Sequence, residues 1–218
     1  MKKKKKYTPA LGHDQFTNWY DQVIAWTMPE EEFRTKLIQQ LSPNPSERIL
    51  EFGFGTIENL IYIIRAEPNV NYSGLDIDPN VKVLAKEKLS KLKFLVKAEL
   101  SLYEGGAFPY EDNSFDKVFS CLVFHQLQRE EKVNALKEIY RVLKKDGMIL
   151  ICDWDKPSSF LTSLGFYAVQ VLDGFATTAD SRKGILIDLM KESGFSNAKH
   201  VDVINTNIGT LKYIIGAK

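Results

Sequence analysis

The chain has 218 residues, of which 44% are hydrophobic and 26% charged, a composition that suits one globular α/β domain with a well-formed core. Its formal net charge of +1 argues against a dedicated nucleic-acid-binding protein, because such domains usually carry a clear excess of cations. No apolar stretch of about 18 residues occurs, which excludes an obvious membrane-spanning helix.

The first residues form a basic run, Lys2 to Lys6. We interpret residues 1–6 as a disordered tail, with weak attraction to an anionic membrane as the alternative. Residues 7–218 are predicted to form a single domain. Apolar side chains recur at helical spacing in Gln15 to Met28 and in Glu30 to Gln40, which predicts two amphipathic helices ahead of the first strand.

From residue 48 onward, strand and helix patterns alternate. This alternation predicts an open, doubly wound α/β sheet, mostly parallel, with helices on both faces. The predicted strands are Arg48 to Phe52, Asn71 to Asp76, Lys93 to Lys97, Phe115 to Leu122 and Met148 to Asp153, and the predicted helices between them are Asn59 to Arg65, Pro79 to Leu92 and Arg129 to Lys144.

The last third has a different character. Leu161 to Asp173 is apolar and aromatic, and Ile185 to Ser193 is a predicted helix. Two strand-like runs follow, His200 to Asn205 and Thr210 to Gly216, without a helix between them. They are therefore expected to pair antiparallel, which completes a Rossmann-like seven-stranded sheet.

A glycine turn and an acidic residue indicate the kind of ligand that the sheet binds. Gly53-Phe-Gly55 follows the first strand and permits a tight turn before a helix, and Asp76 closes the next strand. Neighbouring strand ends of such a sheet lie side by side, so Asp76 can accept hydrogen bonds from ribose hydroxyls. This pairing predicts an adenosine-containing cofactor. Two cysteines, Cys121 and Cys152, lie in apolar runs, which favours buried reduced thiols and a cytoplasmic location.

The chain resembles class I S-adenosylmethionine-dependent methyltransferases of the small-molecule type, similar to quinone-biosynthesis and phospholipid N-methylating enzymes. The resemblance extends from about Tyr7 to Lys218. The segments that carry it are Glu51 to Gly55, Gly74 to Pro79, Phe108 to Asp116, Phe124 to Leu127, and Glu138 to Gly147.

The resemblance implies a role for each matching position in the cofactor site. Gly53 and Gly55 would approach the methionine part, with the following helix N-terminus facing its carboxylate, and Glu51 would bind the amino group. Asp76 would bind the ribose hydroxyls, with Ile77 against the adenine face.

Further implied positions complete the site. Glu99 stands where the family commonly has Asp near the adenine amino group, and Leu100 would present its amide to the ring. Cys121 would offer its carbonyl to the cofactor amino group. His125 and Tyr20 are candidate catalytic residues; the alternative is positioning or packing for His125 and a place in the core or lid for Tyr20. No metal is expected.

The expected function is methyl transfer to a small hydrophobic or amphipathic acceptor by in-line displacement, with S-adenosylhomocysteine as product. Residues 7–42 would form an N-terminal helical lid, and residues 156–185 an acceptor-side cap. Expected partners are a small-molecule or lipid-like acceptor and no nucleic acid, with peripheral membrane contact through Lys2 to Lys6.

Two alternatives remain open on the sequence. A cofactor-binding protein with little or no transfer activity is favoured by Ile57, where the family usually has a small residue and where a branched side chain would crowd the methionine carboxylate. A nicotinamide-dependent dehydrogenase would require glycine at position 58, where this chain has Glu58.

Overall fold

A computed structural model describes residues 29–92 and 97–218. Their core is a seven-stranded sheet of order β3-β2-β1-β4-β5-β7-β6. The first five strands are parallel, and β7 runs antiparallel to both β5 and β6. The predicted Rossmann-like sheet with its terminal antiparallel pair is confirmed. The strands are β1 (Arg48–Phe52), β2 (Asn71–Asp76), β3 (Lys97–Leu102), β4 (Phe115–Cys121), β5 (Leu143–Asp155), β6 (Ser196–Thr206) and β7 (Gly209–Ala217).

Helices cover both faces of the sheet. One buried cluster combines side chains of the first three described helices with one sheet face, and a second joins the helix between β4 and β5 and the last helix to the other face. Both faces are therefore dry, as a parallel sheet requires. The helices are α1 (Glu30–Leu41), α2 (Glu58–Ala66), α3 (Pro79–Lys91), α4 (Arg129–Val142), α5 (Phe160–Asp173), α6 (Phe175–Lys183) and α7 (Leu186–Glu192), with a 3₁₀ turn at Phe124–Gln126.

The strand order reverses beside β1, which pairs in parallel with β2 on one side and with β4 on the other. The chain leaves these strands in opposite directions, so a crevice opens at their carboxyl ends. The glycine turn leaves β1 at this crevice.

The third strand extends further than predicted. The prediction covered Lys93 to Lys97, whereas β3 spans Lys97–Leu102 in the described part of the chain, and residues 93–96 lie outside that part. The register explains the shift, because β2 supplies partners from Asn71, opposite Lys97, to Asp76, opposite Leu102. Hydrogen bonding to β2 therefore decides where this edge strand lies.

Only part of the predicted lid, residues 7–42, is described, from Pro29 onward. Within it, Phe33, Leu37 and Leu41 are fully buried, and Tyr213 Oη donates a 2.7 Å hydrogen bond to the Phe33 carbonyl. This portion is a fixed layer of the core. Tyr20 and the predicted helix from residue 15 to 28 lie outside the described residues.

The region predicted as an acceptor-side cap, residues 156–185, contains α5 and α6. The inner face of α5 buries Phe166 and Val169. Its outer face is apolar as well: Phe160, Leu161 and Val171 are 82%, 76% and 72% exposed. In the described ranges, no helix is both long and apolar enough to cross a membrane.

Ile57 occupies a backbone position that favours a small residue. It precedes α2 with φ +59°, the left-handed conformation, which a β-branched residue rarely adopts. Its side chain is fully buried in the hydrophobic core and does not line the crevice. The predicted crowding of a ligand by Ile57 was therefore wrong. Core burial offsets the backbone strain.

We expect glycine to be a more stable replacement than alanine at position 57, the reverse of the usual order inside a folded domain. Ile57→Ala loses the buried side chain and keeps the strain, whereas Ile57→Gly loses the same side chain and relieves about 1–2 kcal/mol of strain. Ile57→Gly should therefore be the more stable variant by about 1 kcal/mol, although both are less stable than the parent. Urea denaturation of the three proteins measures this, and an Ile57→Ala variant at least as stable as Ile57→Gly would contradict the strain.

Candidate functional site

The crevice at the carboxyl ends of β1, β2 and β4 is a cavity of about 630 Å³. This volume suits a small-molecule ligand. Its walls come from the glycine turn, the loop after β3, the 3₁₀ turn and the first turns of α4. The lining residues include Arg34, Glu51 to Asn59 except Ile57, Leu75 to Asp78, Tyr103 to Gly106, Phe108, Cys121 to Val123, Gln126 to Gln128, Glu131 and Asn134.

Glycine is required in the turn for steric reasons. Gly53 and Gly55 have φ values of +81° and +50°. A Cβ atom on Gly53 would lie 2.2 Å from Val123 Cγ2, so the turn packs directly on the chain that follows β4. Gly53 N donates a 2.7 Å hydrogen bond to the Leu75 carbonyl, which fixes the turn against the end of β2.

Asp76 connects the glycine turn after β1 to the loop that follows β2. Its Oδ2 accepts a 2.9 Å hydrogen bond from Gly55 N, and its Oδ1 accepts from Ile77 N at 2.7 Å and Asp78 N at 3.0 Å. Burial raises the pKa of Asp76, and these amide hydrogen bonds oppose that rise. A carboxylate accepts about four hydrogen bonds, so the side chain retains capacity for a ligand hydroxyl.

Glu51 is a fully buried carboxyl at the cavity wall. Asn59 Nδ2 donates a 2.7 Å hydrogen bond to its Oε1, and the Tyr72 hydroxyl donates to Oε2. Burial raises the pKa of Glu51 to about 7, although Tyr72, Asn59 and the positive charge of Arg34 all act to lower it. A cationic ligand group beside it would favour the ionised form.

The charge of the cavity has one dominant sign. Among the described residues, six carboxyl groups line it and one Lys or Arg side chain, Arg34, does so. Such a lining favours a ligand with net positive charge. The carboxyl groups belong to Glu51, Glu58, Asp76, Asp78, Glu104 and Glu131.

Aromatic rings form another part of the wall. Phe52 stacks on Phe108 with ring centroids 5.3 Å apart, and Tyr103 meets Phe108 edge to face at 5.6 Å. Burial raises the pKa of Tyr103, so its hydroxyl stays neutral. The cavity therefore combines negative charge with flat apolar surfaces, which suits a cationic ligand that has aromatic parts.

Six of the residues predicted for the cofactor line this cavity: Glu51, Gly53, Gly55, Asp76, Ile77 and Cys121. Glu99 and Leu100 do not. They lie in the middle of β3, opposite Ser73 and Gly74, and Glu99 is exposed. Because β3 continues to Leu102, Tyr103 and Glu104 reach the cavity instead.

His125 does not line the cavity. It is 3% exposed, with Nδ1 2.6 Å from Asp153 Oδ1 and Nε2 3.5 Å from Asp173 Oδ2. Burial would lower the pKa of His125, but Asp153 and Asp173 outweigh it and raise the pKa to about 10. An imidazole whose pKa is raised in this way holds its proton at neutral pH, and His125 does not reach the cavity, so its catalytic role stays a prediction that these contacts do not favour. It instead connects the 3₁₀ turn, β5 and α5.

Several lining residues were not predicted from the sequence, above all Arg34, Asn59, Tyr103 and Phe108. For Asn59 a signal existed, since it lies eight positions after Glu51, on the first turn of the helix that the glycine turn starts. For Tyr103 the sequence held no such signal, because the end of β3 depends on its pairing with β2. Within the described ranges, no cluster of three or more potential metal ligands occurs.

Comparisons with known proteins agree with this architecture. A family model described as a methyltransferase domain matches residues 50–151. The ubiquinone/menaquinone biosynthesis C-methyltransferase of Geotalea uraniireducens is 26% identical over 192 residues, covering 80% of this chain and 81% of that protein. The demethylmenaquinone methyltransferase of Lactobacillus johnsonii is 27% identical over 231 residues, covering 94% and 92%.

Solved structures show the same fold. An S-adenosylmethionine-dependent methyltransferase from Aquifex aeolicus matches with a TM-score of 0.60 at 18% identity, covering 84% of this chain and 88% of that chain. A phosphoethanolamine N-methyltransferase from Haemonchus contortus, solved with S-adenosylhomocysteine, matches with a TM-score of 0.73 at 15% identity, covering 97% and 60%.

The buried His125 cluster generates a stability prediction. His125→Gln leaves Asp153 and Asp173 buried without their cation, which should cost about 3–5 kcal/mol. The pKa of the folded-state imidazole is raised from 6.5 to about 10, so its stabilisation is complete below pH 6.5 and is lost as pH rises toward 10. The stability difference between parent and variant should therefore shrink over that range, as measured by urea denaturation.

His200→Gln is the matched control. His200 Nε2 lies 3.1 Å from Asp155 Oδ2, but its side chain is 38% exposed, so its loss should cost less than about 1 kcal/mol. Equal losses in the two variants, or a His125 contribution independent of pH, would contradict the buried imidazolium.

Proposed function

Because the chain belongs to the class I S-adenosylmethionine-dependent methyltransferases, we propose that it methylates an apolar, quinone-like aromatic acceptor. The observation that carries the proposal is the cavity at the sheet reversal, which joins an anionic lining to aromatic walls. S-adenosylmethionine carries a sulfonium and an ammonium against one carboxylate, so its net charge complements six carboxyl groups and one guanidinium.

The residues present fit this cofactor. Asp76, whose three amide hydrogen bonds leave an accepting position, would bind a ribose hydroxyl, and Ile77 beside it would contact the adenine. Glu51 would bind the ammonium, and the Cys121 carbonyl, at the end of β4, would lie within the same region. Tyr103 and Phe108 supply apolar surface in place of the predicted Glu99 and Leu100.

When bound, the cofactor supplies a methyl group attached to a positively charged sulfur. Transfer of the methyl group to the acceptor breaks its bond to sulfur and leaves S-adenosylhomocysteine, a neutral thioether at that atom. The chain's own task is alignment and exclusion of water. Gly53 packed on Val123 fixes the turn, and Asp76 fixes the turn to the end of β2, so the wall at the reaction centre is rigid. His125 supports this wall through Asp153, which also accepts a 3.0 Å hydrogen bond from Val123 N.

The acceptor class rests on two supports. The relatives from Geotalea uraniireducens and Lactobacillus johnsonii are named for methylation in ubiquinone/menaquinone biosynthesis and of demethylmenaquinone. The apolar outer face of α5 is the second support. Large apolar side chains there are about half to four-fifths exposed, at Phe160, Leu161, Leu164, Tyr167, Val171 and Leu172.

We also propose that the protein meets this acceptor at a lipid surface. The exposed stripe of α5 has cations near it: Arg182 stacks on Tyr167 at 4.7 Å, and Lys156 and Lys183 are exposed. Apolar side chains bordered by basic ones match an anionic lipid surface, and Lys2 to Lys6 would add attraction.

Cofactor binding should depend on pH through Glu51. With a pKa of about 7, the ionised fraction of Glu51 rises from about 0.1 at pH 6 to about 0.9 at pH 8. Because the ammonium binds the ionised form, the affinity for S-adenosylhomocysteine should increase about tenfold over this range. Titration calorimetry checks this, with Glu51→Gln as control, expected to bind more weakly and without that pH dependence. No binding to the folded parent protein at either pH would refute the proposed function.

Methyl transfer to a demethylated quinol embedded in anionic vesicles tests acceptor and surface together. Combining Leu164→Glu with Val171→Glu should lower this turnover about tenfold or more, because each apolar contact with lipid contributes about 1.5–3 kcal/mol. Turnover of a short-chain quinol in water should stay the same. Val83→Glu is the control, since Val83 is 58% exposed on α3, away from the stripe.

The possible results separate the claims. Absence of methylated quinol from any preparation overturns the acceptor class. Equal turnover by the parent and the double variant on vesicles overturns the proposed contact with a lipid surface. If Val83→Glu lowers turnover as much as the double variant does, the loss is not specific to the outer face of α5.

A further inference from the structure

Three amides of the glycine turn form hydrogen bonds within the protein. Gly53 N, Gly55 N and Ile57 N donate to the Leu75 carbonyl, Asp76 Oδ2 and the Phe54 carbonyl, at 2.7, 2.9 and 2.9 Å. Helix α2 then begins with Glu58, an acidic residue that also lines the cavity. These hydrogen bonds and this charge disfavour the predicted contact between the helix N-terminus and the cofactor carboxylate.

A cation reaches the cavity from another element. Arg34 lies on α1 and is 5% exposed, and among the described lining residues it is the one Lys or Arg. Its Nε donates a 2.8 Å hydrogen bond to Glu30 Oε1, and its Nη1 donates to Asn59 Oδ1. Burial of a guanidinium is costly, and Glu30 and Asn59 offset that cost for Arg34 while the side chain also lines the cavity.

One amide connects this cation to the buried carboxyl group. Asn59 accepts from Arg34 through Oδ1 and donates to Glu51 Oε1 through Nδ2 at 2.7 Å. A positive group and an acidic group are thus held on the two sides of a single side-chain amide. An α-amino acid carries its carboxylate and ammonium on one carbon atom, so the two groups could contact the guanidinium and the carboxyl group that flank this amide.

We propose that Arg34 binds the α-carboxylate of the methionine part of the cofactor, beside the ammonium at Glu51, with Asn59 setting the spacing. This inference rests on the proposed function. It assigns the carboxylate to the helix that precedes β1, in place of the N-terminus of α2. Arg34 is suited to the task because its planar guanidinium can donate two parallel hydrogen bonds to a carboxylate.

The test compares S-adenosylmethionine with its decarboxylated form, which retains the sulfonium and the amine. Calorimetry should show that Arg34→Gln weakens binding of S-adenosylmethionine about 10- to 100-fold, the effect of about 1.4–2.8 kcal/mol. Binding of the decarboxylated form should change less than about twofold. Arg34→Lys retains a charge without the planar fork, and should recover part of the lost affinity.

Arg65→Gln is the matched control, because Arg65 is exposed on α2, is not among the cavity-lining residues, and stacks on Tyr62 at 5.5 Å. It should leave both affinities unchanged. Equal weakening of both ligands by Arg34→Gln would show that Arg34 only ties α1 to α2, and unchanged binding of both would also overturn the proposal. Failure of the parent protein to bind either ligand would instead refute the proposed function.

Discussion

The hydrogen bonds of Asp76 hold the functional end of the molecule together. One carboxylate accepts from Gly55 in the turn after β1 and from Ile77 and Asp78 after β2. It therefore fixes two loops from neighbouring parallel strands relative to each other. The cavity depends on this constraint, since Gly53 can pack on Val123 only when the turn is held against the end of β2.

The same carboxylate shows how structure and binding compete for polar groups. Asp76 contributes most of its accepting capacity to the protein and retains a smaller part for a ligand. Three amides of the glycine turn, those of Gly53, Gly55 and Ile57, also form hydrogen bonds within the protein. A turn whose amides are used in this way has fewer donors available for an anion. For this reason we assign the cofactor carboxylate to Arg34.

Charge divides the carboxyl ends of the strands into two regions. On the cavity side, acidic groups predominate and Glu51 has a pKa near neutrality, so a cationic ligand would complete the balance. On the α5 side, Asp153 and Asp173 are already balanced by the imidazolium of His125. The first region can thus serve binding and the second stabilises the scaffold, although both contain buried carboxyl groups.

Much of the fold and part of the site could be predicted from the sequence alone. The period of apolar residues defined most strands and helices, because burial on a sheet or helix face imposes that period directly. The glycines and Asp76 were recognisable because backbone conformation and ribose binding demand those residue types. The sequence could not define β3, whose position depends on pairing with β2, and so it assigned Glu99 and Leu100 to a cavity that Tyr103 and Glu104 reach. Nor could it show that two distant aspartates make His125 a cation, that core packing removes Ile57 from the cavity, or that Arg34 enters it. Those outcomes depend on contacts between residues far apart in the chain, which only the tertiary structure decides.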